Sequence, residues 1–308
     1  MPCVFFKERK PLARSLVVAL LLVVAESVAW ANSLSYCSQQ VETSALDQDR
    51  LLQVAAIVKS ELDQSGQQVA LIARSGLALH RLNQRYSHAG VTLRASRNTP
   101  WSVRQLYFAC DEQRPRIFDQ GMTGFVMGAN DPAEAYLSIV FLPPDAGQAL
   151  EAVALDDHIA LDLLGGRYSA NAHAFSLRYQ NCNQWLAELL ASAWGTIPPG
   201  PDARSAAQHW LQQEGYQPSV LQIGWQPFMW LAAALPWLHS DDHPDADLAQ
   251  AQVQVSMPQS IESFVQKRLI GATRLELCYS QHHVVIRRGW EPLGPGCIPE
   301  RDDQVTLL

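Results

Sequence analysis

The sequence predicts an α+β fold, an antiparallel sheet packed on a helix that opens at Cys182, followed by an α-rich C-terminal elaboration. Three observations lead there. Short apolar runs bounded by turn residues recur at 68–74, 87–94, 101–109 and 135–142, as strands do. Ahead of them, Leu51, Val54, Val58 and Leu62 fall at helical spacing. Further on, the polar run Tyr179-Gln180-Asn181 gives way at Cys182 to a helical pattern of Trp185, Leu186, Leu189, Leu190 and Ala193.

The chain opens on a targeting pattern. Lys7, Arg9, Lys10 and Arg14 form a basic region, residues 16–25 are apolar, and Ala29-Trp30-Ala31 has the spacing of a cleavage site. A secretory signal peptide over residues 1–31 is expected, and the mature chain is then periplasmic or secreted. The apolar run is short against the ~20 residues of a span, so no stable membrane span is expected after cleavage. The whole chain has 308 residues, 23 Lys and Arg against 30 Asp and Glu, and a formal charge of −7. Removing the leader makes that balance more negative. With no Lys/Arg block, no nucleic-acid partner is expected. The expected organisation is a core at 32–196 and a C-terminal elaboration at 197–308, packed on the same domain.

The elements follow in order. Residues 47–63 carry the first helical stripe, and Ser65-Gly66 stops it. Residues 68–74 read as a buried strand and 87–94 as a strand bearing His88. Asn98-Thr99-Pro100 is a turn, so 87–94 and 101–109 form a hairpin. The strand at 135–142 is closed by Pro143-Pro144, and 148–164 is a helix capped by Gly165-Gly166. A short strand at 175–179 leads to the cysteine helix, which ends at Gly195. Ile197-Pro198-Pro199-Gly200-Pro201 is the clearest break. Beyond it come a helix at 203–214, an aromatic stretch at 225–238, an acidic loop at 240–247 and a helix N-capped by Ser260. A final hairpin pairs 274–279 with 283–287.

Past the leader lie Cys37, Cys110, Cys182, Cys278 and Cys297. In an oxidising compartment an even number pairs and an odd one is left over. Four cysteines allow three pairings; separation along the chain favours Cys278 with Cys297 and Cys37 with Cys110. Cys182 is then the free thiol. At a helix N-terminus the unpaired amides and the helix dipole favour a thiolate, and His88 is the candidate base upstream.

The order of histidine strand and then cysteine helix resembles the circularly permuted branch of the papain-like superfamily. That branch includes the NlpC-like peptidases and the lecithin-retinol acyltransferase relatives. Ser87-His88-Ala89-Gly90-Val91 is similar to its histidine box, and Asn181-Cys182-Asn183-Gln184-Trp185 to its cysteine box. The whole chain also looks like a group of secreted bacterial proteins carried as a domain of unknown function. The resemblance spans roughly residues 69–195. It implies a permuted papain-like fold with Cys182 as nucleophile, His88 as base and a third polar residue from the next strand. Gln105 is the choice there, with Ser102 next, although the family more often has a carboxylate, histidine or asparagine. The Cys182 amide, with Tyr86 or Asn181, is the expected oxyanion hole.

The leading expectation is a cysteine-dependent hydrolase acting on a peptide, amide or acyl substrate, with cell-wall peptides nearest by compartment. It needs no cofactor. An acyltransferase or lipid hydrolase would use the same dyad, and the aromatic stretch around Trp230 and Trp237 would favour it. A binding or structural protein with a vestigial site is the non-enzymatic alternative. His239, Asp241, Asp242, His243, Asp245 and Asp247 lack a recognised ligand spacing, so a solvated acidic loop is preferred to a metal site.

Overall fold

Ser44 starts the first helix, α1 (Ala45–Gln64), by accepting a hydrogen bond from the Asp47 amide at 3.1 Å. Its stripe of Leu51, Val54, Val58 and Leu62 is buried in the principal core. The computed structural model describes residues 43–77, 79–129, 131–224 and 235–308. These fall within one unit, Glu42–Leu308. The signal-peptide expectation, Cys37 and residues 225–234 lie outside the described residues.

The architecture is mixed α/β around a large antiparallel sheet. Its strands are β1 (Val69–Arg74), β2 (His88–Leu93), β3 (Ser102–Ala109), β4 (Arg114–Gln120), β5 (Ala135–Phe141), β8 (Thr273–Tyr279), β9 (His283–Arg288) and β10 (Gln304–Leu307). The sheet is eight-stranded in the order β10-β9-β8-β5-β1-β2-β3-β4. The other pair, β6 (Ser219–Gln222) with β7 (Gln252–Val255), stands apart. The C-terminal region, expected to be α-rich, therefore adds three strands to the main sheet. The Pro-rich break does not divide that sheet.

Side chains alternate between its faces. Ala70, Ile72, Leu137, Ile139, Leu275 and Leu277 pack with α1 and with Phe125 of α2 (Met122–Met127). The opposite face carries α3 (Pro144–Leu155) and α5 (Cys182–Gly195), with α4 (Asp157–Asp162) beside α3. Arg104, which points that way, donates to the Ala154 carbonyl at 2.8 Å and to Asp157 at 2.9 Å. The remaining helices are α6 (Ala203–Gln213), α7 (Asp245–Ala249) and α8 (Pro258–Arg268). Among the described residues no helix is long and apolar enough to cross a membrane.

Several expectations need correction. The helix expected at 148–164 is two helices, because the Asp156 side chain accepts from the amides of His158 (2.8 Å) and Ile159 (3.2 Å) and begins a new one. Residues 175–179 form no strand; isolated bridges flank the segment, Tyr168 with Gln180 and His173 with Val255 of β7. Ser260 is not the N-cap of α8. Met257 is, and Ser260 Oγ accepts from its amide at 3.1 Å from the third helical position. Gly165 does not cap a helix either: a Cβ there would lie 2.9 Å from Gln180 Cβ, and its amide donates to Gln180 Oε1 at 2.7 Å. The loop at 240–247 is not simply solvated, since His243 and Asp247 are buried.

Candidate functional site

His88 begins β2 opposite Arg74, the last residue of β1. Both point to the face carrying Phe125: the His88 ring lies 6.2 Å from the Phe125 ring and the Arg74 guanidinium 5.4 Å from it. Two residues on, Gly90 shares that face. A Cβ on Gly90 would sit 2.7 Å from Val103 Cγ1, 2.8 Å from the Arg104 carbonyl oxygen and 3.2 Å from Gln105 Cβ. Glycine thus lets β3 press close, and the diagonal neighbour Gln105 reaches back to the histidine. Gln105 Oε1 lies 2.5 Å from His88 Nε2. Gln105 Nε2 donates to Gln120 Oε1 at 2.6 Å, in keeping with the amide oxygen facing the ring. An amide oxygen only accepts, so in this orientation Nε2 carries the imidazole proton and Nδ1 holds the lone pair.

Ser102, the other expectation for the third position, hydrogen-bonds the Thr99 carbonyl at 2.8 Å within the turn and does not approach the imidazole partner.

Cys182 opens α5. Asn181 is its N-cap, accepting from the Gln184 amide at 2.6 Å. The amides of Cys182 and Asn183 point at the sulfur and act to lower its pKa. Helix α5 approaches from the face opposite to His88, and its N-terminus reaches the end of β2. There Asn183 Nδ2 donates to the Ser87 carbonyl at 3.2 Å. The Arg74 guanidinium acts on both groups, lowering the thiol pKa and opposing protonation of the imidazole.

Burial outweighs these fields. Cys182 is 7% exposed and His88 8%. Desolvation pushes the thiol up to about 12 and the imidazole down to about 3. The thiolate expected from the helix terminus alone is therefore not the resting form: the thiol and the imidazole are both neutral. No hydrogen bond joins Cys182 Sγ to either imidazole nitrogen. Nor do the expected oxyanion partners offer a free side chain. Tyr86 donates to Glu276 and accepts from Arg274 Nη2 at 3.0 Å. Asn181 is occupied as the cap.

The disulfide framework is clear. Cys278 and Cys297 are bonded to each other, Cys182 is a free buried thiol, and Cys110 is disulfide-bonded. Cys37, the expected partner of Cys110, lies outside the described residues. Among those residues no group of three or more His, Cys, Asp or Glu side chains is placed to hold a metal ion.

Sequence reading did not find Arg74, Glu188 or Arg204. Glu188 is fully buried and accepts from Arg204 Nε (3.0 Å), Gln208 Nε2 (2.7 Å) and Gln180 Nε2 (2.5 Å). Arg204 also donates to the carbonyls of Leu177 and Tyr179, both at 3.2 Å, and so holds the segment leading into Cys182. The one signal available was a Glu at the centre of an otherwise apolar helix, which demands a buried partner.

Comparison with known proteins gives one match. A family model described as an uncharacterized protein conserved in bacteria, DUF2145, covers residues 61–265. That span contains His88, Gln105 and Cys182 and stops before β8. No curated protein and no solved structure matches the chain. The family description carries no activity and no link to papain-like enzymes.

Proposed function

The chain belongs to the DUF2145 family, and we propose that it is a cysteine-dependent hydrolase of amide or peptide bonds. Cys182 is the nucleophile, His88 the general base and Gln105 a positioning residue, in a permuted papain-like arrangement. One observation carries this reading: Gln105 Oε1 at 2.5 Å from His88 Nε2 keeps the proton on that nitrogen and leaves Nδ1 as the acceptor.

The chemistry follows from that tautomer. The thiol proton passes to Nδ1 as sulfur bonds to the substrate carbonyl carbon. The resulting oxyanion takes a hydrogen bond from the Cys182 amide at the helix terminus. The amide C–N bond then breaks, and the proton on Nδ1 leaves with the amine. Water, deprotonated by Nδ1, attacks the thioester carbon; the C–S bond breaks, the acyl group leaves as the carboxylic acid, and the proton on Nδ1 returns to sulfur. Between turnovers the pair is neutral, so charge arises only while substrate occupies the site. Reaction requires Sγ to come within hydrogen-bond reach of Nδ1 around the end of β2. If residues 1–31 are the leader that their pattern suggests, this chemistry takes place outside the cytoplasm, and cell-wall peptides are the substrates we propose.

The non-catalytic alternative also has an observation behind it, the burial that keeps thiol and imidazole neutral and unlinked. Two measurements separate the readings. Purified protein incubated with a library of short peptides, including peptides from bacterial cell wall, should release new amino termini, and Cys182→Ala and His88→Ala should each abolish this. In addition, the alkylation rate of Cys182 against pH should change in His88→Ala, as it does only where the imidazole acts on the thiol. No peptide cleaved, together with a pH dependence untouched by His88→Ala, leaves the non-catalytic reading.

A further inference from the structure

We propose that a cleft beside Tyr86 is a binding site for a neutral carbohydrate, a ring carrying several hydroxyl groups. The cleft has a volume of about 940 Å³ and shares no lining side chain with Cys182, His88 or Gln105. It lies within the size range of small-molecule sites. This inference does not depend on the thiol chemistry.

The floor of the cleft is polar and charge-balanced. Glu276, fully buried, accepts from Arg85 Nη1 at 2.8 Å and from the Leu293 amide at 2.6 Å. Arg274 Nε donates to Ser138 Oγ at 2.9 Å and lies 3.2 Å from Glu262 Oε2; its Nη2 lies 3.3 Å from Glu276. Two guanidinium groups are thus matched by two carboxylates, and no surplus charge remains on the floor to select an ion. Asp131 and Glu134 at the rim further disfavour an anion.

Two polar atoms just beneath the wall, with almost no exposed surface of their own, lack partners. Arg274 is 6% exposed and its Nη1 has no hydrogen-bond partner; Gln84 Oε1 has none either. A small shift of either side chain would turn an orphan donor and an orphan acceptor toward the cleft, where a group that both accepts and donates, as a hydroxyl does, would satisfy them. Gln259 and Gln266 add carboxamides to the same wall, and half-buried Trp290 supplies a ring on which a sugar face can pack. Tyr136 does not serve, because Arg85 covers its ring at 4.5 Å.

Saturation-transfer NMR on the intact protein tests the site with glucose, galactose and N-acetylglucosamine, and with glucuronate and a glycine dipeptide as charged comparators. The expected result is transfer to ring protons of at least one neutral sugar. Trp290→Ala and Gln84→Ala should each weaken that binding, the former by about tenfold or more, while Trp290→Phe retains it. Both positions are partly exposed, so circular dichroism should show an unchanged fold. Absence of transfer from every neutral sugar, transfer only from glucuronate or the dipeptide, or binding untouched by Trp290→Ala would each overturn the proposal.

Discussion

Asn183 donates its side-chain amide to the carbonyl of Ser87 at 3.2 Å, which ties the residue after the free cysteine to the residue before the buried histidine. The contact crosses from a helix N-terminus on one face of the sheet to the start of a strand whose first side chain points to the other face. The thiol and the imidazole therefore approach a common place, the end of β2, from opposite sides. Arg74, paired with His88 across β1 and β2, supplies the positive field felt by both.

Thiol chemistry should follow burial. Alkylation of unreduced, unfolded protein should label Cys182 alone among residues 43–308, since Cys110, Cys278 and Cys297 are disulfide-bonded. In the native state, with the thiol pushed up to about 12, labelling at pH 7–8 should be far slower than for an exposed cysteine. Native labelling at the rate of a free thiol of pKa ~8.5 would show that the site is open and the thiol unburied.

Stability should fall in mild acid because of His88. The unfolded imidazole takes a proton near pH 6.5, whereas the folded one resists until about 3. Below pH 6.5 the unfolded state binds the extra proton, so this contribution is complete above that pH and is lost as pH falls toward 3. The slope is at most about 1.4 kcal/mol per pH unit. Urea unfolding of wild type and His88→Gln between pH 4 and 7 should show the steeper loss in wild type. Parallel curves would contradict the neutral buried imidazole.

Much of this was legible in the sequence, and the failures have physical causes. The free cysteine could be chosen from the odd count and the histidine strand from its local pattern, whereas Gln105 was reached only through the resemblance, which points to the strand after the histidine. Strand β4 was missed because Arg114-Pro115-Arg116 reads as a loop. Pro115 is tolerated there because β4 is an edge strand, paired to β3 alone. The last three strands were seen only as a hairpin, since pairing of β8 with β5 joins residues far apart in the chain. Burial of the thiol was illegible for the same reason. Helix position is local information, while desolvation depends on what the rest of the chain packs around it.

Gly90 is the residue whose necessity the strand pattern hides. In Gly90→Ala the new methyl meets Val103 Cγ1 at 2.7 Å and the Arg104 carbonyl oxygen at 2.8 Å, and backbone cannot yield as a side chain can. The expected cost is about 1–3 kcal/mol, read as a lower urea midpoint. Displacing β3 also pulls Gln105 away from His88, so the imidazole NMR signals should shift. A stability change below about 0.5 kcal/mol would mean that β2 and β3 are less closely apposed.

The cysteine helix depends on a charge pair that it buries. Glu188 is fully buried and Arg204 is its cationic partner, with Nη2 at 3.1 Å from Oε1 as well as Nε at 3.0 Å from Oε2. Desolvation already raises the carboxyl pKa, and Arg204 is the chief influence opposing it. In Arg204→Met the carboxylate is stranded in the core and the carbonyls of Leu177 and Tyr179 lose their donor. Such a change costs about 3–5 kcal/mol. A stranded carboxyl also titrates higher in the folded state than in the unfolded one, so the variant should regain stability as pH is lowered and lose it as pH rises. Adding Glu188→Gln removes the charge, and the double variant should recover part of the loss and show a flatter pH dependence. If the single variant costs under about 1 kcal/mol, or the double variant is no more stable than the single, the pair is not what anchors the helix.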